Sequence, residues 1–242
     1  MIKLYGFGAA FNLPDPSPFV TKVELAMRIA GIEYQRIDTS QNLQKAPKAK
    51  LPFIEDNGKI IADSVFIYDY LQENYDFDVD DWLTTEQKAI AQLIGKSLDE
   101  NLYWIIVHSR WIKDDVWPII DKQFFAPLPF PLNKLISKIA RSSTRKQING
   151  HGMGKHTDEE ILKIAHASWN SLSVLLADKP YFFGDKISSL DITAFAMLSG
   201  FTLSNLPAPI NKEIEQYSNL LEFNKRIASA YYSDSISLPD CT

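Results

Sequence analysis

The sequence predicts an α+β domain over residues 1–76 followed by an all-α domain over residues 84–242. Three observations predict it. The chain opens strand–helix–strand, which reads as a parallel crossover unit. Two short apolar runs, Phe53 to Glu55 and Lys59 to Ala62, then meet at Asn57-Gly58, the strongest short-range hairpin signal. Beyond an acidic stretch at 76–83, with Asp76, Asp78, Asp80 and Asp81, the periodicity becomes helical.

Each element has its own signal. Lys3 to Phe7 alternates as a strand. Residues 8–16 form a loop with Pro14 and Pro16. Ser17-Pro18 reads as N-cap and first helical residue, since proline costs no hydrogen bond there. Phe19, Val23, Ala26, Met27 and Ala30 follow at helical spacing, and Gly31 ends the helix. Ile32 to Ile37 is the second strand and 38–50 a polar loop or irregular helix. After the hairpin, Ser64 to Asn74 is a helix. Thr84-Thr85-Glu86-Gln87 and Thr157-Asp158-Glu159-Glu160 are capping boxes, opening helices that run to about Lys113 and about Ala177. Further helices are expected from near Ser189 and over 211–232.

Composition excludes several classes. The chain has 242 residues, a net charge of −5 and one cysteine, Cys241. An acidic balance argues against a general nucleic-acid binder. One cysteine permits no internal disulfide, which fits a reducing compartment. The N-terminus reads as a strand rather than a signal peptide, and no apolar run approaches the roughly 18 residues that span a bilayer. The expectation is a soluble cytoplasmic protein.

Two motifs point to a site. Lys50-Leu51-Pro52-Phe53-Ile54 places a proline at the start of a strand. Asp63-Ser64 puts a carboxylate and a hydroxyl at a helix N-terminus, where free N–H groups and the helix dipole attract anions. Together they suit a small extended peptide carrying charges of both signs. Far downstream, Ser188 and Asp191 form a reciprocal cap.

This arrangement resembles the glutathione S-transferase superfamily, whose fold is a thioredoxin-like α+β domain followed by an all-α domain. Phe182 to Asp191 looks like that superfamily's C-terminal capping segment. The chain is also similar to the branch that includes failed axon connections protein and the metaxins. The stretches that carry this are Pro16-Ser17-Pro18-Phe19, Lys45 to Glu55, Tyr103-Trp104, Ser109-Arg110-Trp111 and Gly154-Lys155-His156. The resemblance implies binding of reduced glutathione as co-substrate, its thiolate being added to a small electrophile. Ser17 would contact the sulfur as catalytic residue; its plainer reading is a helix cap. Pro52 would be cis, with Leu51 pairing its backbone to the tripeptide. Asp63 and Ser64 would bind the γ-glutamyl end and Lys50 the glycine carboxylate. Branch members often carry Cys after Pro-Phe, where this chain has Val20, which speaks against a cysteine-based mechanism. A homodimer is implied as well.

Trp104, His108 and Trp111 fall at i, i+4 and i+7 beside Tyr103, a candidate electrophile pocket whose plainer reading is core. Gly150, Gly152 and Gly154 lack the context of a phosphate loop. His151 and His156 lack partners at ligand spacing, so no metal is expected. The rival function is a non-catalytic interaction module for a protein partner or membrane surface. Leu132 to Lys146 is a basic amphipathic segment that would face an anionic membrane or acidic partner; the reading adopted packs its apolar stripe, Leu132, Leu135, Ile136 and Ile139, on the second domain.

Overall fold

The computed structural model describes residues 1–237. Cys241 lies outside them. A four-stranded sheet in the order β2-β1-β3-β4 forms the first domain, from β1 (Ile2–Gly6), β2 (Tyr34–Asp38), β3 (Phe53–Asp56) and β4 (Lys59–Ala62). β1 and β2 are parallel, joined by α1 (Pro18–Ile29); the other neighbours are antiparallel. The β3–β4 turn has φ of 48° at Asn57 and 80° at Gly58. Positive φ at both central residues matches the twist of the flanking strands. α2 (Asn42–Lys45) occupies the expected irregular stretch, and α3 (Ser64–Tyr75) follows the hairpin.

The second domain holds α4 (Thr85–Glu100), α5 (Leu102–Val107), α6 (Trp117–Phe125), α7 (Leu132–His151), α8 (Asp158–Leu176), α9 (Ser189–Thr202), α10 (Ile210–Glu213) and α11 (Ser218–Tyr231). Two expected helices are interrupted. The one opened by Thr84 breaks at Asn101 and ends in a π turn, His108–Ile112. The last divides into α10, a 3-10 turn (Ile214–Gln216) and α11.

α9 is the axis of the second domain, buried from Leu190 through Phe201. The anticipated cap is present: Thr84 and Thr157 cap their helices reciprocally, and so does Ser188, whose N–H donates to Asp191 Oδ2 at 2.8 Å. Asp191 Oδ1 accepts from Phe182 N–H at 2.9 Å. Burial pushes the Asp191 carboxyl up to about 6, against these hydrogen bonds.

The acidic stretch at 76–83 is not a loose linker. Asp80 Oδ1 accepts from the Ser189 N–H at 2.8 Å, and Trp82 Nε1 donates to the carbonyls of Val79 and Ile187. One continuous apolar core runs through both domains, from Leu4 and Val23 to Phe195 and Phe223. α1 is tied across it by Lys22 to Asp99 at 3.3 Å.

The basic segment corrects the adopted reading. It is helical, as α7, but its packed face is Ser137, Arg141, Thr144 and Ile148, not its apolar stripe. Leu132, Leu135, Ile136 and Ile139 are turned to solvent. Arg141 explains the orientation. Its guanidinium donates to the carbonyls of Trp111 and Ile112 and lies over the Trp117 ring, so the helix is fixed by its polar side.

Candidate functional site

The sheet register brings the site together. Tyr5 at the end of β1 pairs with Phe53 at the start of β3, and Phe53 pairs with Ala62 at the end of β4. The segments that leave or enter the sheet there are the Ser17 loop, Leu51-Pro52 and Asp63-Ser64. Three stretches that are distant in sequence therefore share one sheet edge. The paired Tyr5 and Phe53 rings stack at 4.1 Å.

Ser17 is the N-cap of α1 by position, with Pro18 next, but its side chain makes no capping bond. Its hydroxyl is thus not spent on the helix, contrary to the plainer reading as a helix cap. The loop is held instead by Asp15. This buried carboxylate accepts from the N–H groups of Phe7, Gly8 and Ser17 and from Arg36 Nη2 at 2.8 Å. Burial pushes Asp15 up to about 7, and Arg36 with the three N–H groups pulls the other way. Gly6 makes room, since a Cβ there would sit 2.5 Å from Asp15 Oδ2. Arg36 also binds Glu24 and Asp38, and these carboxylates outweigh burial and raise its pKa.

The Leu51–Pro52 bond is cis, as expected. Strand β3 starts at Phe53, so the Leu51 backbone takes no part in the ladder and remains available to an added strand. Asp63 caps α3 by accepting from the Val65 N–H at 3.2 Å, with Ser64 buried at the first helical position. Asp63 adopts φ 87°, a left-handed value unusual for aspartate and of the kind found at binding sites.

Lys50 is exposed in the preceding loop. The lysine that sequence reasoning missed is Lys48, whose Nζ lies 3.4 Å from Asp63 Oδ2 and 4.4 Å over the Phe66 ring. A second missed residue is Arg110. It sits in the π turn, 6% exposed, and donates to the Pro16 carbonyl at 2.7 Å. Among the described residues it forms no ion pair. Burial pulls its guanidinium down to about 10, with Tyr103 and Asp15 acting in the opposite sense. Arg110 fixes the carbonyl of the residue before Ser17. The sequence carries no signal for this role, because the π turn that places Arg110 belongs to the fold.

Of the four aromatic-pocket candidates, Tyr103 and Trp104 meet edge to face at 5.3 Å. Tyr103 packs on Phe19 at 4.8 Å, close to the start of α1. Trp104 stacks on His151 at 4.7 Å, and Trp111 packs on Trp117 at 5.4 Å. His108 is buried and lines a shallow depression with Lys113 and Asp158; burial lowers its pKa. His108 keeps its α-helical bond to the Trp104 carbonyl, whereas Trp111 lies inside the π turn, whose inserted residue shifts it off the i, i+4, i+7 line. Among the described residues no group of acids, histidines or cysteines is arranged to hold a metal.

Both domains of the chain are similar to known proteins. Residues 18–116 match the glutathione S-transferase N-terminal domain, and residues 165–227 the glutathione S-transferase C-terminal domain. Isoprene-epoxide–glutathione S-transferase of Rhodococcus sp. (strain AD45) is 30% identical, covering 96% of this chain and 99% of that protein. Failed axon connections of Drosophila melanogaster is 34% identical over 82% of this chain and 50% of its own length. Human metaxin-2 is 25% identical over 78% and 72%. Among solved structures, a glutathione S-transferase of Ceriporiopsis subvermispora in complex with glutathione superposes with a TM-score of 0.65 at 17% identity, covering 99% of both chains. Related to one transferase over almost its whole length, and matching the family in both domains, the chain belongs to the glutathione S-transferase superfamily, in the branch that also resembles failed axon connections protein and the metaxins.

Proposed function

We propose that the chain binds reduced glutathione at the edge shared by Ser17, Leu51-Pro52 and Asp63-Ser64, and adds its thiolate to a small electrophile. The observation that carries this is the shared edge itself, with a Ser17 hydroxyl free of its helix and a Leu51 backbone free of its sheet. In this reading the cysteinyl backbone of the tripeptide pairs with Leu51. The γ-glutamyl carboxylate meets Ser64 and the α3 N-terminus, and its ammonium meets Asp63. Lys48, paired with Asp63, stands at the γ-glutamyl end, and Lys50 attracts the glycine carboxylate.

Ser17 donates a hydrogen bond to the sulfur, which favours thiolate over thiol. Arg110 holds the Pro16 carbonyl and so fixes the loop that presents Ser17. The thiolate then attacks carbon: a C–S bond forms, the electrophile's bond to its leaving atom breaks, and that atom takes a proton from water. The similarity to a transferase named for an isoprene epoxide supports an epoxide as the electrophile class. We also infer a cytoplasmic homodimer; exposed Ile60, Phe66 and Leu93 offer apolar surface for it.

Calorimetric titration of reduced glutathione into wild type and Ser64→Ala tests the reading. Micromolar to millimolar binding in wild type, weakened about tenfold or more in Ser64→Ala, is expected. Ser17→Ala should keep binding and lose conjugation of an epoxide. Absence of wild-type heat and of any competition at millimolar glutathione would overturn the proposal.

A further inference from the structure

The outward stripe of α7 is a surface that the glutathione reading does not use. Leu132, Leu135, Ile136 and Ile139 are 49, 56, 39 and 59% exposed. At 100° per residue they lie on the side of the helix opposite Ser137, Arg141, Thr144 and Ile148, which face the protein. Phe130, 83% exposed in the loop that joins α6 to α7, extends the stripe at its N-terminal end.

The charges that this helix itself carries have one sign. From Lys122 to Thr157 the chain has seven lysines and arginines and no acid, within a protein of net charge −5. Lys134, Lys138 and Arg145 flank the apolar positions along one side of the helix. The carboxylates of neighbouring elements are engaged on the packed side or at its margin. Asp121 takes Ser137 and Lys134, the latter at 3.7 Å, and Asp114 takes Arg141 and Arg145. Among the described residues Lys138 and Lys146 are without a carboxylate partner.

We propose that α7 and the Phe130 loop dock the protein on an anionic bilayer surface. A helix with a narrow apolar stripe beside lysines and an aromatic residue at one end suits the plane of a membrane interface. Its stripe enters the acyl boundary while the long cationic side chains reach the headgroups. The charge complementarity is specific to this face, because the rest of the protein is strongly acidic and is repelled by the same surface. No helix among the described residues is long and apolar enough to cross a membrane, so the attachment is peripheral and reversible. A one-sided cationic fringe also argues for lipid over a second copy of α7, whose like charges would oppose it.

Cosedimentation of the full chain with phosphatidylcholine vesicles, with and without phosphatidylserine, tests this. Binding is expected only with phosphatidylserine, and is expected to vanish at about 0.5 M salt, where screening is short-ranged. Lys134→Glu with Lys138→Glu should weaken it about tenfold or more. Leu135→Glu with Ile139→Glu should abolish it, with melting temperature and glutathione binding unchanged as the folding control. The proposal is overturned by no binding to phosphatidylserine vesicles at low salt, by equal binding to neutral vesicles, or by wild-type binding of the Leu135/Ile139 variant. It is overturned equally if that variant converts a dimer to a monomer while neither protein binds vesicles, which would assign the face to an interface between copies.

Discussion

Helices α7 and α9 stand in the same domain and treat their apolar residues in opposite ways. α9 buries every residue from Leu190 to Phe201, and its reciprocal cap at Ser188 and Asp191 satisfies the donors that such burial would strand. α7 is longer, yet only Ser137 and Ile148 are buried, and its apolar stripe faces solvent. The difference teaches that apolar spacing alone does not say where a helix points. α9 has no polar face to offer, so burial is its only solution. α7 has Arg141, whose bonds to the Trp111 and Ile112 carbonyls and to Asp114 fix the helix by its polar side.

Substitutions rank the two helices. Phe195→Ala in α9 should cost the most, roughly 3–5 kcal/mol in urea unfolding, because Phe195 is fully buried and stacks on Tyr232. A loss under 1 kcal/mol would remove α9 as the axis of the core. Asp191→Asn should act through pH. Burial raises the folded carboxyl to about 6, while an unfolded aspartate titrates near about 4. Between these values the folded chain holds a proton that the unfolded chain releases. The stability from that site is full below the unfolded value and is lost as pH rises through about 6. Wild type should therefore lose roughly 2 kcal/mol more than Asp191→Asn between pH 4.5 and 7.5; parallel pH profiles would refute this. Ile139→Ser in α7 should change stability by less than about 0.5 kcal/mol, since its side chain is already in water. A large drop in its melting temperature would mean that the stripe is covered.

The local features were legible in sequence because local chemistry specifies them. Asn57-Gly58 supplies the two positive φ values of its turn, and the three capping boxes hold their helices as their spacing implies. The site edge was legible in part. Ser17, Leu51-Pro52 and Asp63-Ser64 stand at the ends of elements whose order fixes their meeting. Lys48 and Arg110 were not legible for a different reason. Lys48 reaches Asp63 across a loop with no periodicity, and Arg110 depends on a π turn that shifts the helical register. The departure of Trp111 from the line of Trp104 and His108 has the same cause.

The ties across the domain boundary carry one more consequence. α1 belongs to the first domain by sequence, but Lys22 binds Asp99 and Arg28 donates to the Tyr231 carbonyl, while the loop before α1 is held by Arg110. The first 76 residues are therefore not an interchangeable cartridge. A recombinant that grafts them onto another helical half loses three polar ties and uncovers the apolar face of α1, so the two halves are constrained to be inherited, and to change, together.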